Sequence, residues 1–442
     1  MRFVLVTFVA AAGCTDAITV EIASDRPVPS AIDHVCIGVA DTKVGGGQFG
    51  QDYALTGDLG RLPQTLRVEA GHAGSALAWV RGDRGGVAAA LASARTDFSR
   101  DLTLSLNTCV KGPGGAPAQQ GDAVGPAAAK LAASEGPGGN LVVAIGPSGA
   151  AVIDAQHGAL VTSAGPTPPA GNPIAIVAAD LDGDCDDDLV IVTDGAPPTV
   201  WIRDGQGFKD GGTIGGSIAA AVALGDVDRD GRTDVVLGYA GTLELWLNDG
   251  AGNFTHATQA LSGAGHVSSV SALALGDVDG DGSPDLIVGQ SSAPLAAWLG
   301  GTGTFTFSTS IVPAVSLPVV SLALADADGD YDPDLAVSVK GAAMRLYIDR
   351  DGHLEDQSFV RLPQPAPIAN AVAFGGWDDG CEPDAVIAAD AGAATLHGQP
   401  TGTFASAQSA PPASAVVMTD IDDDGDLDAL LATDQGVVWL AR

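Results

Sequence analysis

Twenty aspartates occupy the first, third, fifth and ninth places of five nonapeptides. They are Asp180, Asp182, Asp184 and Asp188; Asp226, Asp228, Asp230 and Asp234; Asp277, Asp279, Asp281 and Asp285; Asp326, Asp328, Asp330 and Asp334; and Asp420, Asp422, Asp424 and Asp428. Carboxylates this dense on one short turn repel each other unless a cation sits among them. Hard oxygen donors suit Ca²⁺ before any transition metal. A backbone carbonyl near the seventh place and water would complete six to eight oxygens. Gly231, Gly282 and Gly425 at the sixth place permit a sharp reversal, whereas Cys185 and Tyr331 stand there in the other two loops. About five structural calcium ions are expected.

An EF-hand also begins D-x-D-x-D-G, but it needs a Glu at the twelfth place and a helix on either side. Here the twelfth places are Ile191, Leu237, Val288, Val337 and Leu431. Each continues an apolar run such as DLVIV, DVVLG or DLIVG, which reads as a buried strand. A small apolar strand also precedes each loop. A third strand carries one large ring, at Trp201, Trp246, Trp298, Tyr347 and Trp439, expected to pack between neighbouring units at constant register. A fourth opens at Phe208, Phe254, Phe305 and Phe404, with Leu354 standing in once. The loops recur at 46, 51, 49 and, across one decayed copy, 94 residues, a period that fits a four-stranded blade.

Two degenerate copies complete the series. Ala373 to Ala388 keeps only Asp378 and Asp384, with Gly376 and Gly380 at the first and fifth places. Ala129 to Gly146 has Ala132, Ser134, Gly136 and Asn140 at the four ligand places. Neither is expected to hold a tight ion. Seven units then fill residues 125–442. The last stops after its third strand, so either a strand from before the first blade closes the ring or the last blade is incomplete.

The stretches LGDVDRDGRTDVVLG, LGDVDGDGSPDLIVG and ADADGDYDPDLAVS resemble FG-GAP/VCBS repeats, which also occur in integrin α-subunits. The resemblance covers residues 125–442 and implies a seven-bladed β-propeller with calcium at the twenty aspartates. It does not carry over an integrin-like ligand.

Residues 1–13 read as a leader: one Arg, an apolar run from Phe3 to Ala12, then Gly13-Cys14. Small residues before a cysteine resemble the lipobox of bacterial lipoproteins, which makes Cys14 the expected lipidation site. The expected location is the bacterial envelope, outer membrane or cell surface, with the membrane reached through the N-terminal lipid. Residues 14–110 alternate apolar and polar positions at Ile18-Val20-Ile22, Val35-Ile37-Val39, Leu66-Val68, Leu77-Trp79 and Leu102-Leu104-Leu106, the pattern of a small β-sandwich. Residues 111–124 are Gly/Pro/Ala-rich and read as a linker. The fold class expected is all-β, a β-propeller preceded by a β-sandwich. The remaining cysteines suggest two disulfides with three possible connectivities, of which Cys36–Cys109 with Cys185–Cys381 is the favoured one.

Net charge is −34 although only 17% of residues are charged, because acids outnumber bases 54 to 20, and many of the acids are packaged into turns. Such a surface disfavours nucleic acid. No Gly-x-Ser-x-Gly elbow or phosphate loop occurs, and His34, His72, His157, His256, His266, His353 and His397 share no recurring partner. A non-catalytic recognition or adhesion scaffold for protein or glycan is the first expectation. The alternatives are a carbohydrate-active lyase or hydrolase and a structural envelope component.

Overall fold

In the computed structural model, only the backbone of separate strands is described before residue 118, and side chains are described from residue 123 to 440 apart from short stretches of loop, turn and strand. Seven four-stranded antiparallel sheets follow one another along the chain. Their inner strands are Lys130–Gly136, Pro173–Ala179, Ala221–Gly225, Val270–Gly276, Val319–Ala325, Ala371–Gly375 and Ala415–Thr419. Each inner strand packs against the next, and the seventh packs against the first, so the ring is closed. Blade 3 illustrates the pattern. Ala221–Gly225 pairs with Asp234–Gly238, then Leu243–Asn248, then Phe254–His256.

The second strand of each blade is the most deeply buried, because blades cover both of its faces. Asp188–Thr193, Asp234–Gly238, Asp285–Gln290, Asp334–Val339, Asp384–Ala388 and Asp428–Thr433 have no exposed residue. That is why these strands read as unbroken apolar runs rather than alternating ones.

The ring closes through residues 118–124, inside the expected linker. Ala118–Val124 is the outer strand of blade 7, antiparallel to Gly436–Ala441, with Val124 opposite Val437 and Ala118 opposite Ala441. The linker expectation is therefore corrected over 118–124, and the propeller begins at 118 rather than 125. Residues 111–117 lie outside the described residues.

The rings on the third strands pack between blades, and one of them faces the opposite neighbour from the rest. Trp201, Trp246, Trp298 and Tyr347 each stand opposite the residue after the ninth-place Asp: Leu189, Val235, Leu286 and Leu335. Trp298 and Tyr347 are 0% and 1% exposed in the cores toward blades 3 and 4. Trp439 pairs instead with Leu430, one place further along. A shift of one residue turns a side chain to the other face of a strand. Trp439 consequently packs with Leu131, Val142 and Ile153 of blade 1, not toward blade 6. Constant register fails there.

Blade 1 also departs from the common frame. Its first two strands pair without interruption from Lys130↔Ile145 to Gly136↔Gly139. Where the acids are missing, the hairpin zips to its tip and no nine-residue loop is left.

Before the ring, eight strands pair in one continuous series: Val4–Thr7, Gln64–Glu69, Ala17–Ser24, Leu102–Thr108, Val87–Thr96, Ala76–Arg84, His34–Asp41 and Gln48–Ala54. The strands expected from alternation are all present. The pairing is a single ladder rather than two, and the side chains that would form two packed layers lie outside the described residues. So do Cys14, Cys109, Cys185 and Cys381, and the side chain of Cys36. Blades 2 and 6, which carry Cys185 and Cys381, are separated by blades 7 and 1.

Removing residues 118–124 strips blade 7 of its outer strand and exposes the edge of Gly436–Ala441. Chains starting at residue 118 and at residue 126 are expected to differ in thermal melting, the shorter one melting lower and over a broader range. Equal midpoints would count against closure by this strand.

Candidate metal centres in the acidic loops

Each acidic loop joins the inner strand of a blade to its second strand. Its geometry is set by the ninth aspartate. In blade 3, Asp234 is fully buried, and Val227 N–H donates to its Oδ2 at 3.0 Å while Asn248 N–H donates to Oδ1 at 2.9 Å. One carboxylate thus ties the start of the loop to the end of the third strand.

The same pair recurs around the ring. Asp188 accepts from Leu181 and Arg203, Asp285 from Val278 and Gly300, and Asp334 from Ala327 and Asp349. In blade 7, Asp428 accepts from Ile421 at 3.2 Å. Asp384 makes both bonds too, from Trp377 and Gly398, in the blade whose loop has lost its first and fifth acids. The ninth aspartate is therefore a structural clamp whether or not its loop keeps the other acids. The residue whose N–H it holds, at the second place, is always buried and apolar: Leu181, Val227, Val278, Ala327, Trp377 and Ile421. Sequence reading treated the ninth place as a cation ligand and missed this plug. Its signal was present, an apolar residue at every second place.

Around this clamp the remaining acids converge. Asp180, Asp182 and Asp188 offer oxygens within 4.8 Å of one another, as do Asp226, Asp228 and Asp230; Asp277, Asp279 and Asp285; and Asp326, Asp328 and Asp334. Four of the five expected loops thus gather a triad able to hold a metal ion. Asp281 is described in blade 4 but lies outside its triad. Asp184, Asp330, Asp420, Asp422 and Asp424 lie outside the described residues, as do the sixth-place Gly231, Gly282 and Gly425. The left-handed turn that is described lies at the fourth place, at Arg229 (φ 61°) and Gly280 (φ 71°).

The donors are oxygen only, which fits a hard cation. Asp328 adds a direct sign. Its side chain is 7% exposed, and its Oδ1 is buried without a partner. Its Oδ2 accepts from Arg350 at 3.0 Å and Arg361 at 2.8 Å. Arginines also brace other loops: Arg232 pairs with Asp230, and Arg229 reaches Asp281 and Ser283 of blade 4.

Burial is the main cause that pushes the ninth aspartates up, to about 8 for Asp188 and Asp334, about 7 for Asp234 and about 6 for Asp285. Backbone N–H donors oppose it, and the first- and third-place carboxylates add to it. A cation among these groups reverses the balance by favouring the charged form.

With this geometry in view, the comparisons become informative. The sequence matches the FG-GAP-like repeat over residues 180–237, 226–288 and 277–337. These are FG-GAP-like repeats. They span three loop-to-loop units of the ring, from Asp180 to the second strand of blade 5. No curated protein matches the sequence. Among solved structures, a lectin from Agrocybe aegerita described as recognising non-reducing terminal N-acetylglucosamine is similar at a TM-score of 0.50 and 17% identity, over 66% of this chain and 83% of that one. BBS1N in complex with ARL6DN is similar at 0.51 and 14% identity, over 74% and 97%. At such identity these likenesses speak for the fold alone. It is an all-β, seven-bladed propeller.

Two measurements separate clamp from ligand. Asp384→Ala leaves two N–H groups without acceptors, at about 1–3 kcal/mol each. Its destabilisation is expected to be the same with calcium or with chelator. Asp226→Ala is expected to lower the melting point only in calcium, and the reverse pattern would undo the assignment.

The second prediction concerns pH. Because the folded pKa values lie above the ordinary value of 3.8, protonation favours the metal-free fold. Its stability is fully present below about pH 4 and is lost as pH rises through about 6 to 8. In chelator the melting point should therefore fall over that window, and in calcium the fall should flatten. A rise in chelator would contradict the assignment.

Proposed function

We propose that this chain is a non-catalytic recognition scaffold, held rigid by calcium and tethered to the bacterial envelope through lipid on Cys14, that binds a protein or a glycan outside the cytoplasm. The observation that carries the reading is where the acids point. Among the described residues, the loop aspartates face the backbone, one another and the arginines beside their turns. A hydrolase or lyase needs carboxylates free to meet a substrate. Oxygen-only donors make calcium the ion of choice, and the weak affinity of extracellular calcium modules, on the order of 10⁻⁴ to 10⁻³ M, suffices outside a cell.

Binding has a surface to use. Among the described residues the large apolar side chains left exposed are Ile218, Phe359, Val360 and Ile368. All four lie in connections from the outer strand of one blade to the inner strand of the next. Loops of this kind on a rigid ring are where recognition residues collect. The N-acetylglucosamine lectin has the same fold, and fold alone does not transfer its sugar.

The test is a glycan array together with a pull-down, using the chain from Cys14 onward, repeated in calcium and in chelator. Calcium-dependent capture of a glycan or protein, without turnover, is the expected result. Turnover of a captured polysaccharide would overturn the non-catalytic reading. A melting point indifferent to chelator would overturn the role of calcium.

A further inference from the structure

We propose that Arg361 is a positioning residue for the cation of blade 5's acidic loop, and that the same cation, acting through Arg361, fixes the turn that holds Phe359 and Val360 out to solvent. The inference rests on the calcium reading above, and its test separates the two.

The turn is the four-residue helix Ser358–Arg361, in the connection from blade 5 to blade 6. A helix this short is not stable by itself. Its N-cap residue, Gln357, makes no side-chain cap bond. Phe359 and Val360 are 81% and 67% exposed, so they bury too little to hold it. Order must come from the few groups that tie the helix to the ring. At its start, Ser358 Oγ accepts from Leu346 N–H at 2.9 Å. Just past its end, Leu362 is buried in the core between blades 5 and 6. The third tie is Arg361, whose side chain is 11% exposed. Its Nε donates to Gln357 Oε1 at 3.0 Å, its Nη1 to Gly402 O of blade 6 at 2.6 Å, and its Nη2 to Asp328 Oδ2 at 2.8 Å. One guanidinium thus joins the helix, the next blade's turn and the acidic loop.

This joint differs from earlier ones in the ring. Gly252 N–H donates to Leu181 O and Gly303 N–H to Val227 O, so a backbone bond ties blade 3's turn to blade 2's loop and blade 4's turn to blade 3's loop. Gly402 stands at the same place, against Asp328 as Gly252 stands against Asp182 and Gly303 against Asp228. Its N–H instead turns back to Gln399 O of its own blade. Arg361 supplies the link, and it ends on an acid rather than on a carbonyl.

Asp328 is one of the three acids that converge in this loop. Its Oδ2 accepts from Arg361 and Arg350, and its Oδ1 is buried without a partner. The carboxylate therefore has one oxygen fixed from outside the loop and one left for a cation. Donors behind a ligating carboxylate orient it, and losing such a partner costs about 10–100-fold in metal affinity. The coupling is reciprocal. A cation on Oδ1 keeps Asp328 where Arg361 meets it. Without the cation the loop's acids repel one another, and Arg361 loses a fixed partner.

Amide hydrogen exchange reads both ends of the link. Val360 and Arg361 N–H donate to Gln357 O and Leu362 N–H to Ser358 O, so exchange at 360–362 reports the helix. Ala327 and Asp349 N–H donate to Asp334, so exchange there reports the loop. The unaltered chain, Arg361→Met, Arg361→Lys, Asp326→Ala and Asp226→Ala are each titrated with Ca²⁺. Calcium is expected to slow exchange at 360–362 in the unaltered chain and in Asp226→Ala, which alters blade 3's loop, but not in Asp326→Ala. Arg361→Met is expected to need about 10–100-fold more calcium to protect Ala327 and Asp349. Arg361→Lys, which keeps the charge without the fork of donors, is expected to recover only part of that loss. An unchanged calcium midpoint in Arg361→Met, no calcium response at 360–362 in the unaltered chain, or a response there that survives Asp326→Ala would each sink the proposal and leave the loop ions standing. Calcium without effect on the loop amides of any blade would sink both. Should Arg361→Met fail to fold, the comparison of Asp326→Ala with Asp226→Ala decides.

Discussion

A buried carboxylate that accepts two backbone N–H bonds organises blades 2 to 6. It bridges the start of the loop to the third strand, two segments that would otherwise leave donors without partners inside the ring. Removing the bond pair exposes those donors to an apolar interior, where an unmet N–H costs about 1–3 kcal/mol. The consequence reaches beyond the turn. Once the loop's second residue is pinned, its side chain is delivered into the inter-blade core, as Leu181 and Val227 show. The acids at the first and third places are then gathered over the clamp. Packing and the gathering of the acids therefore share one anchor, and blade 6 shows that the anchor persists where the first and fifth acids are gone.

Much of this was legible in the sequence because the chemistry is periodic. Nine-residue acidic loops, a following apolar strand and a ring at a fixed distance define a blade without reference to anything distant. What escaped was set by relations between distant segments. Ala118–Val124 (AQQGDAV) has neither alternation nor large apolar residues, so nothing local marks it as a strand. Its strand character comes from Gly436–Ala441, more than three hundred residues away in sequence. Trp439 matched the spacing of the other rings to within a residue or two, and that margin decides which face of a strand a side chain occupies.

The candidate site was legible in the same uneven way. Residue types named the candidate donors, and in four loops three of them come together. The double duty of the ninth aspartate was hidden, because a clamp and a ligand look alike as a letter in a sequence. The arginines around Asp328 were hidden too. Arg361 arrives from the connection to blade 6 and also donates to Gly402 O, so it links one blade's acids to the next blade's turn.

Closure by the strand at 118–124 also fixes an order of events. During synthesis this segment is made before any blade, yet its partner is among the last residues made. At about 5–20 residues per second the gap lasts tens of seconds. Through that interval an unpaired edge must stay soluble on its own, and AQQGDAV, polar and poor in β-branched residues, suits that wait. The seam is thus the last join to form, and a chain cut short anywhere in blade 7 is left with an open circle.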